Sequence, residues 1–239
     1  MAEHKTKSIH LLQRLMDRIN CEYEDLSYSQ CANYLVDNYD RLQDISMQEL
    51  CEKNFVSKST VRRFCQNMGY KNFSELKLSK TDERKNGAED SSADFLSDKI
   101  SIKNSDFEKI LALIEKHSSV YILFPNELYF AAYEFQRQMS EINRIIYLVP
   151  NIDLHFSLIE KLLDTSLVFV LDYDEDYTLS LKEYLKNVKG KLVFISTEEK
   201  NDNIIIESKE ENANKKYLYL YFFDLLAFLY KNRERLSFP

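Results

Sequence analysis

The amino-acid sequence predicts two domains, an all-α domain with a helix-turn-helix and a layered α/β domain after it. Charge divides the chain: residues 1–80 hold 12 basic and 11 acidic side chains, residues 81–239 hold 20 and 28. Periodicity divides it similarly, because helically spaced apolar stripes give way to short apolar runs between amphipathic stretches. We interpret the polar segment 79–105 as a linker with a short helix around residues 95–102. The predicted domains are therefore 1–78 and 106–239.

Composition excludes several classes of protein. The chain has 239 residues but only three glycines, so the paired glycines of dinucleotide-binding, P-loop and nucleophile-elbow motifs are missing. Hydrophobic residues make up 44% and charged residues 30%, which is typical of a globular protein. The longest apolar stretch, Leu218–Tyr230, is too short to span a bilayer and contains Asp224. With no recognisable signal sequence at its start, the chain is expected to be cytoplasmic, without a membrane partner.

The four cysteines do not form a metal or redox motif. Cys21, Cys31, Cys51 and Cys65 include no C-x-x-C pair, and the four histidines lie far from zinc-finger spacing. Cys31, Cys51 and Cys65 fall on apolar helical positions and are interpreted as small core residues. We therefore expect no metal and no cofactor.

The first domain reads as consecutive short helices. An apolar stripe marks the first, and two capping boxes, Ser27–Gln30 and Ser46–Glu49, open the next two. Ser57 is a suitable N-cap for a further helix, and Gly69 stands where a left-handed C-cap belongs. A last helix is expected to begin near Ser74.

The helices at 46–53 and 57–68 are joined by a three-residue turn, which is a helix-turn-helix layout. Between Lys53 and Lys80 there are seven basic residues and one acid, Glu75. This charge alone does not distinguish a polyanionic partner from an ordinary basic face, but together with the two caps and the short turn it favours DNA binding over a basic helical hairpin. Serine, threonine, arginine and glutamine near the start of such a helix can read base edges, and lysines beyond it can contact phosphates. The candidate DNA-binding residues are Ser57, Lys58, Ser59, Thr60, Arg62, Arg63, Gln66, Lys71 and Lys77.

Residues 26–78 resemble the N-terminal domain of RpiR/MurR-type bacterial transcriptional regulators. The similarity is carried by Glu49–Cys51, Val56–Phe64 and Met68–Lys77, with Cys51 where alanine is usual. It implies a DNA-binding regulator, expected to be a repressor and connected with carbohydrate metabolism. It also implies a homodimer or higher homo-oligomer on double-stranded DNA with an inverted-repeat operator.

The second domain alternates predicted strands and helices. Several apolar runs do not alternate with polar residues, as expected of parallel strands buried on both faces. The predicted strands are Val120–Phe124, Arg144–Val149, Leu167–Leu171, Lys191–Ser196 and Ile204–Glu207. The predicted helices are 106–117, 127–141, 153–163, 177–188 and 214–232.

The same resemblance implies that this domain is a sugar isomerase (SIS) domain, a three-layer α/β fold with a five-stranded parallel sheet that senses a phosphosugar. The family's phosphate-binding loops are replaced here by Phe124–Glu127 and by the acidic run Asp172–Thr178. Because these carboxylates repel a phosphate, we predict that the phosphosugar pocket is lost. The run either stabilises the start of the next helix or binds a cation or an amine-bearing effector. The candidate effector residues are Asn126, Asp172, Tyr173 and Asp174.

Catalysis is not expected, because His117 and His155 are the only histidines of this domain and have no evident partner. Two alternatives stay open: an SIS-type phosphosugar-binding protein or isomerase, and a protein–protein module with a vestigial helix-turn-helix. The aromatic stretch Tyr217–Tyr230 is a candidate dimer interface or an ordinary core helix.

Overall fold

The computed structural model divides the chain into two compact units, Met1–Glu89 and Asp90–Pro239. It describes residues 10–21, 26–83, 99–150, 165–186, 188–198, 203–209 and 213–236. The predicted helix at 153–163, with His155, lies outside these residues, as does Gly87. In the described part, no helix is both long and apolar enough to cross a membrane.

The first unit is all-α, as predicted. Its core is formed by apolar side chains from successive helices, among them Leu15, Leu35, Leu50 and Phe64, all fully buried. The helices are α1 (Leu11–Asn20), α2 (Leu26–Asp37), α3 (Met47–Asn54), α4 (Lys58–Asn67) and α5 (Phe73–Glu83).

Serine side chains cap the starts of α3 and α4. Ser46 Oγ accepts a hydrogen bond from Glu49 N at 3.0 Å, and Ser57 Oγ accepts one from Thr60 N at 3.1 Å. Both caps agree with the sequence prediction. The predicted capping box at Ser27 is wrong. An N-cap residue precedes the helix, whereas α2 includes both Leu26 and Ser27.

Left-handed residues end the same two helices. Gly69 has φ +86°, and the N–H groups of Gly69 and Tyr70 donate to the carbonyls of Gln66 and Cys65, a Schellman motif. At the corresponding place after α3, Phe55 adopts φ 54° and ψ 38°, and the residue is 96% exposed. A bulky residue there carries a backbone cost that glycine does not.

The second unit is built around a five-stranded parallel sheet, which confirms the predicted fold class. Its strands are β2 (Ser119–Leu123), β3 (Ile146–Val149), β4 (Ser166–Asp172), β5 (Lys191–Ser196) and β6 (Ile204–Ile205). Its helices are α6 (Asn104–Lys116), α7 (Tyr129–Ser140), α8 (Glu175–Leu185) and α9 (Lys215–Leu236). The strand order is β3-β2-β4-β5-β6.

The central strand β4 is buried on both faces. Leu167, Phe169 and Leu171 belong to the core that α6, α7 and α9 cover, whereas Val168 and Val170 belong to a second core with Leu181 of α8. This alternation produces the three layers. It also explains the uninterrupted apolar sequence of the strand, since neither face meets water.

Two predicted elements are wrong in detail. Residues 100–101 form a strand, β1 (Ile100–Ser101), rather than part of a helix, while residues 95–98 lie outside the described part. The single strand predicted at 204–207 is two: after β6, β7 (Glu207–Ser208) pairs antiparallel with β1. Both are two-residue pairings, which are too short to produce a periodic sequence pattern. Helix α5 also extends to Glu83, into the segment predicted as linker.

Gly190 allows β5 to lie against β4. A Cβ at this position would lie 2.7 Å from the backbone oxygen of Ser166, closer than real Cβ contacts. Helix α9 completes the unit, because Leu218, Phe222, Phe223 and Leu226 are buried in its core. Core packing therefore accounts for most of the aromatic stretch, and its role as a dimer interface stays a prediction.

The cysteines differ in exposure, and this predicts their reactivity. Cys31 and Cys65 are buried, Cys51 is half-buried and Cys21 is exposed. Burial, with a smaller contribution from Cys31, raises the pKa of Cys65 to about 12, so it stays a thiol below that pH. With a thiol reagent at pH 8, we expect Cys21 to react first and Cys51 more slowly, and all four to react after denaturation. Rapid modification of Cys65 in the native protein would contradict this burial.

Phe55→Gly should stabilise the first unit. The left-handed conformation costs a non-glycine residue about 1–2 kcal/mol, and glycine loses about 0.5–1 kcal/mol more chain entropy on folding. Because the ring is exposed, we expect a net gain of roughly 0.5–1 kcal/mol, measured by native-state hydrogen exchange at buried amides of α3 and α4. Phe55→Ala is the control: it removes the ring, keeps the backbone cost and should leave stability nearly unchanged. Equal stabilities of the Gly and Ala variants would show that the backbone carries no such cost.

Candidate functional site

Helix α4 has one buried and one exposed face. Val61, Phe64 and Cys65 are fully buried in the first unit. The candidate DNA-binding side chains of the helix lie on the other side, all exposed except the half-buried Thr60: Lys58, Ser59, Thr60, Arg62, Arg63 and Gln66. This arrangement presents two arginines and a lysine on one outward surface, the surface that a major groove would meet.

The hydroxyl groups at the start of α4 form a local network. Ser57 Oγ lies 2.7 Å from Ser59 Oγ and 2.9 Å from Thr60 Oγ1, in addition to accepting the Thr60 N–H. The network holds Ser59 and Thr60 in defined positions at the first turn. Lys58 and Arg62 lie on either side of them in the chain, are exposed, and have no ion-pair partner among the described residues.

Two arginines of α1 hold the end of α4. Arg14 Nη1 donates to Met68 O at 2.9 Å, and its guanidinium lies 5.4 Å from the centre of the Tyr70 ring. Arg18 Nη2 donates to Asn67 O at 3.4 Å. These cations suit the negative end of the helix dipole. Sequence reasoning missed them, because residues more than 45 positions apart show no pattern.

A polar cluster holds α3. Tyr34 OH donates to Glu49 Oε1 at 2.6 Å, and Arg41 Nη2 lies 2.8 Å from the same oxygen. The hydrogen bonds from Tyr34 and Arg41 lower the pKa of Glu49. The cluster ties α2 and the loop after it to the first helix of the pair.

Lys77 and Lys80 make contacts within the first unit. Lys77 Nζ donates to the carbonyls of Gln43 and Ile45, each at 2.9 Å, and lies 5.5 Å from the centre of the Phe73 ring. Lys80 is buried, with Nζ 4.3 Å from the centre of the Tyr39 ring. Lys77 thus has a structural role that competes with the predicted phosphate contact. Fewer of the seven basic residues between Lys53 and Lys80 therefore point outward than the sequence alone suggests.

A cavity of about 460 Å³ adjoins the exposed face of α4. It is lined by residues from the start of α3, from α4 and from the segment before and at the start of α5: Met47, Lys58, Arg62, Lys71, Asn72 and Phe73. Three of the candidate DNA-binding residues thus meet in one place. Met47, Asn72 and Phe73 were not among the candidates, because nothing in their sequence context distinguishes them from capping and core residues.

In the second unit, the effector candidates lie at or after the carboxyl ends of two neighbouring strands. Strands β2 and β4 are neighbours although β3 lies between them in the chain, so their carboxyl ends flank a topological switch point. Asn126 follows β2, and Asp172 ends β4. Ligands of open parallel sheets bind at such points. Asn126 is exposed, and Tyr173 is half-buried with its ring 6.3 Å from that of Tyr219.

The carboxylates at this edge have partners within the fold. Asp172 is 4% exposed and accepts hydrogen bonds from Thr178 Oγ1 at 2.5 Å and Asn203 Nδ2 at 3.2 Å. Asp174 caps α8 by accepting from Tyr177 N at 2.7 Å. Asp174 therefore stabilises the start of α8, which is one of the two roles predicted for the acidic run. Glu175 and Asp176 lie in the first turn of the same helix, where negative charge is favourable.

His117 has a structural environment. The residue is buried, and its Nδ1 lies 2.8 Å from Leu113 O at the end of α6. The guanidinium of Arg144 donates to the carbonyls of Ile114 and His117 at the same helix end. The ring is thus part of a helix terminus and not of the sheet edge.

The solved structures similar to the chain include the following three, at TM-scores of 0.42 to 0.46. The Vibrio vulnificus NanR protein complexed with ManNAc-6P is 15% identical, with 94% of this chain and 93% of that chain covered and a TM-score of 0.46. The sugar isomerase domain of an RpiR transcription factor from Sphaerobacter thermophilus is 11% identical, at 65% and 89% coverage and a TM-score of 0.42. The C-terminal domain of a Francisella tularensis glucosamine-fructose-6-phosphate aminotransferase is 13% identical, at 77% and 48% coverage and a TM-score of 0.42.

No curated protein matches the chain in sequence. The family model described as the helix-turn-helix domain of the rpiR family matches residues 13–87. Among the described helices of the first unit, this range includes α2 to α5 and α1 from its third residue onward. Residues 13–87 are therefore similar to the helix-turn-helix domain of the rpiR family.

Proposed function

We propose that the chain is a sequence-specific, DNA-binding transcriptional regulator of the rpiR type, acting as a repressor in the cytoplasm. The observation that carries this proposal is the exposed face of α4, where Lys58, Arg62 and Arg63 point away from a fully buried apolar face. The family of residues 13–87 supports it. Bound at an operator, such a protein represses by occupying the site.

Base readout falls to the outward side chains of α4. Arg62 and Arg63 can each bond two acceptors of a guanine, and Gln66 can bond an adenine. Ser59 and Thr60 can donate to or accept from several bases. Because α4 is capped at one end and held by Arg14 at the other, these side chains start from a fixed backbone.

A homodimer or higher homo-oligomer would present two α4 helices related by a two-fold axis. Such a pair reads an inverted repeat whose half-sites are about one turn of DNA, roughly 34–36 Å, apart or a multiple of it. The α/β unit is the part that we assign to assembly. This assignment rests on the family resemblance. Tyr217 at the start of α9 is exposed and could contact a second copy of the chain.

We propose that the carboxyl edge of the sheet in the α/β unit does not bind a phosphosugar. Asp172, Asp174, Glu175 and Asp176 place negative charge beside the switch point, and a phosphate dianion there would be repelled. Asn126 and Tyr173 remain as possible contacts for an effector without a phosphate. The buried and hydrogen-bonded state of Asp172 favours a structural role for that residue over a cation ligand.

We propose no catalytic role. An isomerase needs a base beside a bound substrate, and His117 is engaged at the end of α6. A protein–protein module with a vestigial helix-turn-helix is disfavoured by the same exposed cations that support DNA binding.

Arg62→Ala combined with Arg63→Ala should weaken operator binding roughly 100-fold, because two arginine contacts are worth about 1–3 kcal/mol each. The measurement is a fluorescence-anisotropy titration on a duplex selected from a random library by the wild-type protein. Both residues are exposed, so the circular dichroism spectrum should not change. Lys109→Ala with Lys116→Ala, equally exposed in α6, is the matched control and should bind normally. Unchanged affinity in the arginine variant would refute the DNA-reading role of α4.

Sugar phosphates should leave the protein unaffected. A ligand at 100 times its Kd stabilises the state that it binds by about 2.7 kcal/mol, which moves a melting temperature by several degrees. We expect neither the melting temperature nor the operator affinity to change with millimolar sugar phosphates, including the ManNAc-6P of the NanR structure. A shift of several degrees would show that the phosphosugar pocket survives.

A further inference from the structure

Phe55 is the most exposed large apolar residue in the described part of the chain. It lies in the turn between α3 and α4 and is 96% exposed. Its φ of 54° and ψ of 38° are left-handed, and the turn is closed by the N–H of Val56, which donates to Cys51 O at 3.0 Å. A bulky residue in this conformation is an outlier that carries a backbone cost. Residues of this kind cluster where a ligand or partner binds.

The turn places Phe55 beside the end of α4 that carries candidate base-reading side chains. Only Val56 separates it from Ser57, the N-cap of α4, so the Cα atoms of Phe55 and Ser57 are no more than about 7.6 Å apart. Ser59 and Thr60 follow in the first turn of the helix. The major groove is about 12 Å wide, so the aromatic ring lies close to any groove that receives the start of α4.

The charges around Phe55 indicate which partner can cover it. Lys53 and Lys58 are the charged residues of the segment 53–60, and both are exposed without an ion pair among the described residues. A second copy of the chain placed on this turn by a two-fold axis would bring four lysines together, which is unfavourable. A polyanion is attracted by the same two lysines. DNA is a polyanion that also offers apolar groups, among them the methyl group of thymine.

We propose that the ring of Phe55 contacts the C5-methyl group of one thymine in each operator half-site. Phe55 is then a specificity-determining residue that lies outside α4. The inference rests on the proposed function and deepens it. Thymine is the base that presents a methyl group in the major groove, and apolar side chains such as phenylalanine recognise it. The contact removes the ring and the methyl group from water, which is favourable, and the left-handed backbone holds the ring outward for it.

Phe55→Ala should weaken operator binding about fivefold to tenfold, because the apolar surface that the ring buries against the methyl group is lost. The slope of log K against log salt should not change, since no phosphate contact is lost. Phe55→Leu keeps an apolar side chain and should bind more tightly than Phe55→Ala. Phe55→Gly should also bind weakly although it stabilises the first unit, so unfolding cannot explain the effect. Leu78→Ala, which removes an exposed apolar side chain from α5, is the matched control and should bind like wild type.

Deoxyuridine locates the contact, because it lacks only the C5-methyl group of thymidine. Each thymine of the selected operator duplex is replaced in turn, and the affinities of the wild-type protein and of Phe55→Ala are measured by fluorescence anisotropy. We expect one position per half-site at which loss of the methyl group weakens wild-type binding about threefold or more but leaves Phe55→Ala binding unchanged. At every other thymine the two proteins should respond alike.

These outcomes separate the inference from the proposed function. If Phe55→Ala binds like wild type while the Arg62 and Arg63 variant does not, the thymine contact is overturned and DNA reading by α4 stands. Weaker binding by Phe55→Ala with no thymine at which the two proteins differ also overturns it. Weaker binding together with a smaller oligomer in sedimentation analysis would assign the ring to a second copy of the chain instead. If the wild-type protein selects no duplex, both proposals fall together.

Discussion

The first unit depends on the burial of one face of α4. Val61, Phe64 and Cys65 fill the core between the other helices, and this burial determines which side chains point outward. The caps at Ser57 and Gly69 and the bonds from Arg14 then fix where the helix begins and ends. Lys58, Arg62 and Arg63 are exposed as a consequence, since a helix with one apolar face can bury only that face.

The second unit depends in the same way on β4. Its side chains belong to both cores, so polar groups of this strand that contact a ligand or solvent can lie only at its ends. At the carboxyl end, Asp172 and Asp174 are bonded to Thr178, Asn203 and the start of α8. The carboxylates of Asp172 and Asp174 at this edge of the sheet therefore support the fold.

Elements with strong local signals could be predicted from the sequence. The N-caps at Ser46 and Ser57, the left-handed Gly69 and the apolar strand β4 each depend on neighbours within a few residues. Interactions between distant residues could not be predicted, such as Arg14 with Met68, Lys77 with Gln43 and the pairing of β1 with β7. The cavity beside α4 belongs to this second kind, because tertiary packing brings Met47 next to Lys71 and Asn72.

The central claim is that the exposed face of α4 reads a DNA sequence. The most direct measurement is selection of duplexes from a random library by the full-length protein, followed by sequencing of the bound fraction. We predict enrichment of one inverted repeat, with changed base preference within each half-site when Gln66 is replaced by alanine. Bound duplexes with no common sequence, or an enriched sequence unaffected by any substitution on the exposed face of α4, would contradict it.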